Sequence, residues 1–427
     1  MKLLVIGSGG REHTLAWKLA QSPKCEKLYA VPGNPGMEDI AECISGISIE
    51  DNDAVVKLAK EKAIDLVVVG PEVPLTNGIV DALGEAGIKA FGPSKLAAEI
   101  EGSKAFSKGL MKKYGIPTAK YEVFTDAEAA REYVKKEGAP IVVKADGLAA
   151  GKGVIVAMTL EEALRAIDDI MEDKAFGQAG SRVVIEEFMD GEEASLLAFT
   201  DGETIVPMIS SQDHKRVHDG DKGPNTGGMG TYAPAPVMTP DMVQAATERI
   251  LKPAISAMKA EGRPYKGCLY AGLMITKDGP KVVEFNARFG DPETQVVLPL
   301  LESDLVEIML ACAEGCLGSL EIQWSKGAAV CVVMASGGYP GSYAKGKEIT
   351  GLDEAKKVGN LVFHAGTARK GGKIVTNGGR VLGVVAKADS IQDAVKHAYE
   401  GVGRIAFEDA FYRKDIAYRA LARQSGK

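Results

Sequence analysis

Residues 281–293 read KVVEFNARFGDPE, an alternating apolar and polar stretch that runs into a turn containing glycine and proline. Because successive side chains of a strand point to opposite faces, Val283 and Phe285 are predicted to face a core, with Glu284 and Asn286 on the other side. One carboxylate and one amide oxygen suit a hard cation such as Mg²⁺, or Mn²⁺, which completes its shell with water and phosphate oxygens. A half-exposed strand edge with ordinary polar residues is the alternative.

A glycine-rich segment lies upstream, where residues 140–158 read PIVVKADGLAAGKGVIVAM. Two apolar runs flank the glycines, which predicts a strand–loop–strand flap. A Walker A loop is excluded because Gly147 and Gly151 enclose three residues, Gly153 replaces Ser or Thr, and a strand follows where a helix is required. Lys144 ends the first strand, either as a snorkelling edge residue or as a phosphate ligand.

Residues 182–199, RVVIEEFMDGEEASLLAF, are predicted to form two strands separated by a turn. An adenine ring could lie against the apolar side chains, its edge bound by the backbone of Glu187 and Phe188. A carboxylate just beyond the turn could then bind the ribose hydroxyls. An acidic hairpin without a ligand is the alternative.

Residues 211–232, SQDHKRVHDGDKGPNTGGMGTY, show no hydrophobic periodicity. Long irregular segments in compact domains are usually functional or disordered. The apolar elements on both sides favour a substrate loop, with Asp213, Lys215 and a run of glycines as its polar groups.

The first hundred residues alternate short apolar runs with amphipathic helical patterns, which predicts a doubly wound parallel sheet with helices on both faces. Three glycine-bearing turns follow its strands and should meet at the carboxyl edge, where ligands of such sheets bind. The turn GSGGREH fails the dinucleotide fingerprint because Glu12 stands in place of the third glycine. A helix N-terminus with Arg11 could still hold a phosphate.

The length of 427 residues predicts about three domains. We place them at 1–101 (α/β), 102–324 (two lobes, the small flap lobe at about 120–190) and 325–427 (α+β).

A formal net charge of −7 argues against a nucleic-acid partner, and no apolar run approaches the ~18–20 residues that span a membrane. The N-terminus MKLLVIG reads as a strand, not as a secretory signal. The six scattered cysteines favour free thiols of a reducing cytoplasm over a zinc site.

Several motifs occur together and in a specific order, and jointly they resemble the ATP-grasp superfamily, whose members hold ATP between two α+β lobes. RFGDPETQ at 288–295, GSGGREH, KADGLAAGKGV, QDHKR, GPNTGGMG and LYAGLM are similar to the phosphoribosylamine–glycine ligase family within it. The resemblance covers nearly the whole chain. It implies a pre-ATP-grasp N-terminal domain, a two-lobed ATP-grasp domain and a C-terminal α+β domain.

The resemblance also implies an activity, the joining of glycine to phosphoribosylamine with ATP, through glycyl phosphate, in purine biosynthesis. The metal ligands are then Glu284 and Asn286. The ATP site comprises Lys104, Lys144, Gly147, Gly151, Gly153, Glu186, Glu187, Phe188 and Glu193. The implied catalytic residues are Arg288, Asp213 and Lys215. The phosphate of the ribosylamine is implied to be bound by Gly9, Gly10 and Arg11. The protein is expected to be a monomer or small homo-oligomer.

One departure concerns the strand before the Glu-x-Asn strand, where many ATP-grasp relatives carry another acidic metal ligand. Here that strand reads CLYAGLMIT and contains no acid, which argues against a second metal ion bound in the usual way. Two other functions stay open: another purine-pathway ATP-grasp ligase or carboxylase, and a nucleotide-binding regulatory protein without chemistry.

Overall fold

The computed structural model describes residues 1–149, 153–172 and 176–424. Its N-terminal part is a parallel sheet with strand order β3-β2-β1-β4-β5. The strands are β1 (Lys2–Gly7), β2 (Lys27–Pro32), β3 (Glu42–Cys43), β4 (Leu66–Val69) and β5 (Lys89–Phe91). The helices are α1 (Gly10–Leu19), α2 (Asn52–Glu61), α3 (Glu72–Thr76), α4 (Ile79–Glu85) and α5 (Lys95–Gly102).

Alternate side chains of β1 enter two different cores. Leu4 and Ile6 pack with side chains of α2, whereas Leu3 and Val5 pack with side chains of α1. Helices therefore cover both faces, which confirms the predicted doubly wound sheet.

The three glycine turns meet at the carboxyl edge, as predicted. The Gly33 N–H donates to the Gly7 carbonyl at 3.1 Å, and the Gly70 N–H donates to the Ile6 carbonyl at 3.1 Å. The Glu12 side chain packs against Gly7 and Gly70, where a Cβ atom would collide with it. Glu12 thus fills the space that a dinucleotide-binding loop leaves open.

The small lobe follows, and its antiparallel sheet has the order β6-β9-β7-β8. Helix α6 (Lys104–Tyr114) comes before this lobe, and its Leu110 and Met111 pack in a core shared with the N-terminal part. The elements of the small lobe are β6 (Tyr121–Phe124), α7 (Ala127–Glu137), β7 (Ile141–Ala145), β8 (Val154–Ala157), α8 (Leu160–Ile167) and β9 (Val183–Glu187). Helix α6 ends at Gly115, whose φ of 67° is the left-handed conformation that glycine adopts readily. Strands β7 and β8 form the predicted hairpin, with Lys144 opposite Val154.

The chain then crosses at residues 188–191 into the large lobe, whose sheet has the order β11-β10-β16-β17. The strands are β10 (Glu192–Thr200), β11 (Ile205–Pro207), β12 (Gln212–Asp213), β13 (Arg216–His218), β14 (Lys222–Asn225), β15 (Gly230–Ala233), β16 (Gly267–Thr276) and β17 (Gly279–Asn286). The helices are α9 (Pro240–Ala246), α10 (Lys252–Ala260), α11 (Thr294–Val297) and α12 (Leu305–Glu314).

Strand β17 contains a β-bulge that the sequence pattern does not reveal. Gly272 pairs with Glu284 and Leu273 pairs with Val282, so Val283 is an extra residue on β17. Val282 and Phe285 consequently pack in the core, and Val283 lines the cleft beside Glu284. The expectation that Val283 faces the core was wrong because a bulge shifts the alternation by one residue.

The C-terminal part is an α+β unit. Its elements are β18 (Ala328–Ala335), α13 (Leu352–Lys357), β19 (Leu361–His364), β20 (Thr367–Lys370), β21 (Lys373–Thr376), β22 (Arg380–Ala388), α14 (Ile391–Val402) and α15 (Tyr418–Gln424). Its sheet, of order β12-β15-β18-β22-β19, also includes two strands from the segment 211–232. That segment was expected to be irregular but forms short strands, because β15 pairs with the distant apolar strand β18, β12 pairs with β15, and β13 pairs with β14.

No helix within the described ranges has both the length and the apolar character needed to cross a bilayer.

Candidate active site

A cavity of about 410 Å³ lies where the N-terminal sheet, the two lobes and the C-terminal sheet meet. Residues from each of these parts line it. Of the residues predicted to form a site, the lining includes Arg11, Lys104, Lys144, Gly147, Gly153, Glu186, Glu193, Asp213, Lys215, Glu284, Asn286 and Arg288. It does not include Gly9, Gly10, Glu187 or Phe188, and Gly151 lies outside the described residues.

Glu284 and Asn286 lie side by side on the cleft face of β17, with Asn286 Nδ2 3.5 Å from Glu284 Oε1. Burial acts to raise the pKa of Glu284, but the charges of Lys144, Lys215 and Lys104 outweigh it and leave the pKa below its ordinary value. Within the described ranges, Glu284 makes no ion pair shorter than 4.0 Å. An ionised carboxylate without a cationic partner next to an amide oxygen fits a hard divalent cation.

On the neighbouring strand β16, Gly272 is paired with Glu284. No described group of three or more His, Cys, Asp or Glu side chains could hold a metal ion. The cleft therefore suits a cation that takes two protein ligands and obtains the others from water and phosphate.

Three buried or half-buried lysines approach the cleft from the small-lobe side. Lys144 Nζ lies 2.9 Å from Glu186 Oε1 and donates to the Val283 carbonyl at 3.2 Å. Lys104 Nζ donates to the Gly147 carbonyl at 2.9 Å, which joins the start of α6 to the flap. Burial lowers the pKa of Lys104, and the Lys144 charge adds to this while Glu284 opposes it.

Lys108 is a third lysine that was not predicted. It is 2% exposed, and its Nζ lies 3.0 Å from Glu186 Oε2 and 2.6 Å from Thr118 Oγ1. Burial lowers its pKa to about 8, against the charge of Glu186. Lys108 lies one helical turn after Lys104, and this i, i+4 spacing was a signal in the sequence.

The predicted adenine-binding residues divide into two groups. Glu186 lines the cavity, and its buried carboxylate lies between two ammonium groups, with Lys144 Nζ 2.9 Å from Oε1 and Lys108 Nζ 3.0 Å from Oε2. The Glu187 N–H donates to the Lys120 carbonyl, and the Glu187 carboxylate accepts a hydrogen bond from the Lys120 N–H, at 2.9 Å each. Phe188 is 38% exposed at the surface. Glu193 lines the cavity from β10 and lies 3.0 Å from Lys215 Nζ.

Acidic groups surround Lys215 at the opposite end of the cleft. Asp213 Oδ1 lies 3.5 Å from Lys215 Nζ. Burial raises the pKa of Asp213, partly offset by Lys215. Burial acts to lower the pKa of Lys215, but the charges of Asp213 and Glu193 raise it well above its ordinary value.

Glu293 belongs to the same group and was not predicted. It is 4% exposed and accepts a hydrogen bond from the Tyr270 hydroxyl at 2.9 Å; Tyr270 in turn lies 2.7 Å from Ser195 Oγ. Burial, and next the charge of Asp213, raises the pKa of Glu293 to about 7. The phenol of Tyr270 in the otherwise apolar LYAGLM strand was the signal available in the sequence.

Arg288 follows β17 and is held by two carboxylates from the N-terminal part. Its Nη2 lies 3.0 Å from Glu101 Oε1, and its Nε donates to Glu72 Oε2 at 3.3 Å. Its Nη2 also lies 3.4 Å from Asn286 Oδ1. The guanidinium therefore has a fixed position next to the candidate metal ligands, and Glu72 and Glu101 were not predicted.

The N-terminus of α1, predicted as a phosphate site, already contacts two carboxylates of the protein. The Gly9 N–H donates to Glu12 Oε2 at 2.7 Å, and the Arg11 N–H donates to Asp291 Oδ2 at 3.2 Å. The Arg11 guanidinium donates to Glu12 and to the Phe289 carbonyl and still lines the cavity. Within this turn, Arg11 is the group that reaches the cleft.

Arg380, at the start of β22, lines the cavity from the C-terminal sheet and was not predicted. Its Nη1 donates to the carbonyls of Gly227 and Asp291, each at 3.0 Å. Burial acts to raise the pKa of Asp291, but Arg380 and Arg11 outweigh it and lower the pKa. These contacts join the C-terminal sheet to the turn after β17.

Comparisons with known proteins match the whole length of the chain. Family models described as phosphoribosylglycinamide synthetase match in three parts: the N domain at 1–101, the ATP-grasp (A) domain at 102–294 and the C domain at 329–419. The phosphoribosylamine–glycine ligase of Vibrio vulnificus strain YJ016 is 56% identical over 430 residues, which is 100% of both chains.

Solved structures agree with this. The crystal structure of the phosphoribosylamine–glycine ligase of Thermotoga maritima has a TM-score of 0.85 and 36% identity, covering 98% of this chain and 100% of its own. The biotin carboxylase domain of the Hydrogenobacter thermophilus 2-oxoglutarate carboxylase, solved with MgADP, ADP and bicarbonate, has a TM-score of 0.75. At 18% identity, covering 100% of this chain and 95% of that one, it shows a shared fold only.

Proposed function

Because this chain belongs to the phosphoribosylglycinamide synthetase family, we propose that its central cleft joins glycine to 5-phosphoribosylamine with ATP. The protein is an ATP-dependent carbon–nitrogen ligase of purine biosynthesis that forms glycinamide ribonucleotide, ADP and phosphate through glycyl phosphate. The observation that carries the assignment to this cleft is the meeting of Glu284, Asn286 and three lysines in one cavity.

The chemistry explains why ATP is needed. A carboxylate does not acylate an amine at neutral pH because the oxygen that must leave is a poor leaving group. Phosphorylation of the glycine carboxylate supplies a better one, and the amine of phosphoribosylamine then displaces phosphate. The protein supplies no nucleophile, so its residues act by positioning the substrates and neutralising charge.

The nucleotide occupies the small-lobe end of the cleft in this proposal. Lys104 and Lys144 bind its phosphates, since their ammonium groups face the cavity beside Glu284. Glu186 accepts a hydrogen bond from the adenine amino group, since its carboxylate lines the cavity. The flap with Gly147 and Gly153 covers the phosphates and excludes water from the acyl phosphate.

The enzyme works with a divalent metal ion, which we propose to be Mg²⁺, with Mn²⁺ as the alternative. Glu284 and Asn286 would hold it, and when bound it neutralises charge on the phosphates. ADP formation measured with each metal in turn distinguishes the two ions.

Glycine occupies the acidic end. Asp213 and Glu293, both buried, bind its ammonium group, and Glu193 either shares this role or binds the ribose of ATP. Arg288 and Lys215, which both line the cavity, stabilise charge on the transferring phosphoryl group. Arg11 anchors the phosphate of phosphoribosylamine, in preference to Gly9 and Gly10, whose backbone lies outside the cavity lining.

We also propose that the enzyme is cytoplasmic, acts on these small molecules and on neither nucleic acid nor membranes, and is a monomer or small homo-oligomer. The net charge of −7 supports the exclusion of nucleic acid.

The deciding experiment is ADP and phosphate release with freshly made phosphoribosylamine. We expect release only when glycine and phosphoribosylamine are both present. Release that depends on bicarbonate but not on glycine would identify a carboxylase. ATP binding without any turnover would identify a regulatory protein.

A further inference from the structure

The C-terminal segment 413–419 folds back onto the segment that carries Asp213 and Lys215. Arg413, which is 0% exposed, is the centre of this contact. Its Nη1 donates to the Arg216 carbonyl at 3.0 Å and to Asp221 Oδ1 at 2.9 Å. Its Nε and Nη2 donate to the two oxygens of Asp415, each at 2.8 Å. A guanidinium with this many partners fixes both segments relative to each other.

Further hydrogen bonds run along the same contact. The Gly220 N–H donates to Asp415 Oδ2 and the Lys414 N–H donates to Asp219 Oδ1, each at 2.8 Å. The Tyr418 hydroxyl donates to Asp221 Oδ2 at 2.6 Å. These bonds come from successive parts of the C-terminal segment, so the whole segment is involved.

His214 is held from the other side. The Ala417 N–H donates to His214 Nε2 at 3.0 Å, so the imidazole must be neutral at this nitrogen. Burial lowers the pKa of His214 to about 3, and the Arg413 charge adds to the effect. The His214 N–H and carbonyl are bonded to Gly230 and Met229 at 2.9 and 2.7 Å.

Lys215 therefore lies between two residues that the C-terminal segment holds, His214 and Arg216. Its own carbonyl accepts hydrogen bonds from the N–H and the hydroxyl of Thr226, at 2.7 and 2.8 Å. Val217 and Met229 belong to a small apolar cluster next to this stretch. The polar contacts with the C-terminal segment thus restrain the backbone on both sides of Lys215, in addition to the ion pairs of its side chain with Glu193 and Asp213.

We propose that Arg413 is a positioning residue for the ligase reaction, and that the segment 413–419 acts through the backbone on both sides of Lys215 to hold its ammonium group in the glycine end of the cleft. This inference rests on the role proposed above for Lys215. Arg413 itself does not line the cavity, so it acts on the reaction only through the segment it holds.

The first test compares R413M with R404M. Arg404 is exposed in the same C-terminal unit, and its ion pair among the described residues is with Glu400, at 3.7 Å, so R404M removes the same charge without touching the substrate segment. For R413M we expect kcat/KM for glycine to fall about 10- to 50-fold while KM for ATP changes less than about 2-fold. R404M should behave as the wild type. Unchanged glycine kinetics in a folded R413M would overturn the proposal.

The second test asks whether Arg413 acts through Lys215. In a K215M background, R413M should cost less than about 2-fold, because the group that it positions is already absent. The same fold-loss in both backgrounds would assign Arg413 a general structural role and overturn the proposal. Normal glycine kinetics in K215M alone would instead refute the role of Lys215, and the two failures are therefore distinguishable.

Y418F provides the test if R413M does not fold. It removes one hydrogen bond to Asp221 and should lower kcat/KM for glycine about 2- to 5-fold. Amide exchange at Thr226 and Met229, which donate to the carbonyls of Lys215 and His214, should be faster in Y418F than in R404M. Wild-type exchange together with wild-type glycine kinetics would overturn the proposal.

Discussion

The two ends of the cleft have opposite charge. At the nucleotide end, Lys104, Lys108 and Lys144 lie close to two carboxylates, those of Glu186 and Glu284. At the glycine end, the carboxylates of Asp213, Glu193 and Glu293 lie around the single ammonium group of Lys215. The first arrangement complements a triphosphate and the second complements an ammonium ion.

The two ends also differ in what holds them. The lysines of the nucleotide end are fixed by Glu186 and by the backbone carbonyls of Gly147 and Val283. The glycine end is assembled from distant parts of the chain, with Tyr270 on Glu293 and the C-terminal segment on the neighbours of Lys215. A change at one end should therefore alter the kinetics of one substrate and leave those of the other nearly unchanged.

The largest effect is expected for E284Q, which keeps the shape of the side chain and removes its charge. Turnover should fall about 10²- to 10³-fold because charge on the phosphates is no longer neutralised, whereas ADP binding without metal should change less than about 3-fold. ADP formation and calorimetric titration with ADP measure the two quantities. E354Q, at an exposed position, is the control. Near-normal turnover in E284Q would remove Glu284 from the metal site.

D213N tests the selectivity of the glycine end. We expect kcat/KM for glycine to fall about 30- to 100-fold, because an ammonium ion loses a charged partner, while KM for ATP changes less than about 2-fold. Steady-state kinetics with each substrate varied in turn provide both values. D278N, in an exposed turn, is the control. Equal losses for both substrates would show that the two ends do not act independently.

The pH dependence of glycine use should report Glu293. Its pKa is raised to about 7, so the carboxyl is ionised above this pH and becomes neutral as the pH falls through it. We expect kcat/KM for glycine to fall about 10-fold from pH 8 to pH 6, since the free enzyme loses the charge that attracts the ammonium ion. The corresponding profile for ATP should be flatter.

E293Q removes this titration and is the matched comparison. Its kcat/KM for glycine should be low and nearly independent of pH between 6 and 8. A pH profile in E293Q that retains the wild-type slope would assign the titration to another group, and the first candidate is Asp213, whose charge raises the pKa of Glu293 most after burial.

Most of the fold was predictable because its signals are local. Short apolar runs separated by amphipathic helices predict the N-terminal sheet, and the apolar strands flanking Gly147 and Gly153 predict the flap. The bulge at Val283 was not predictable, because it depends on how β17 pairs with β16. The short strands within 211–232 were missed because β15 pairs with the distant strand β18, and because the other three pair within the segment itself, a polar stretch that lacks the alternation of a strand.

The candidate site likewise contains residues that local sequence motifs predict and residues that depend on distant contacts. Lys104, Lys144, Glu284 and Asn286 stand next to recognisable motifs, and all four line the cavity. Other site residues are positioned by partners that are distant in sequence. Tyr270 donates to Glu293, whereas Arg380 and Arg413 donate to the carbonyls of Asp291 and Arg216. For Arg380 and Arg413, no pattern in the surrounding sequence marks such a role.

The smallest effect is expected at the nucleotide end, from K108M. Lys108 Nζ lies 3.0 Å from Glu186 Oε2. Its loss should therefore weaken the binding of adenine by Glu186 and leave the contacts with the ATP phosphates unchanged. We expect KM for ATP to rise about 5-fold with kcat and the glycine parameters nearly unchanged, whereas K112M, one turn further along α6 and exposed, should match the wild type. GTP lacks the amino group that is proposed to contact Glu186. Its KM should therefore be higher than that of ATP and should change less than that of ATP between the wild type and K108M. Loss of activity toward glycine in K108M would instead show that Glu186 and its lysines also support the glycine end. The two ends would then not act independently, because a change at one end would alter the kinetics of both substrates.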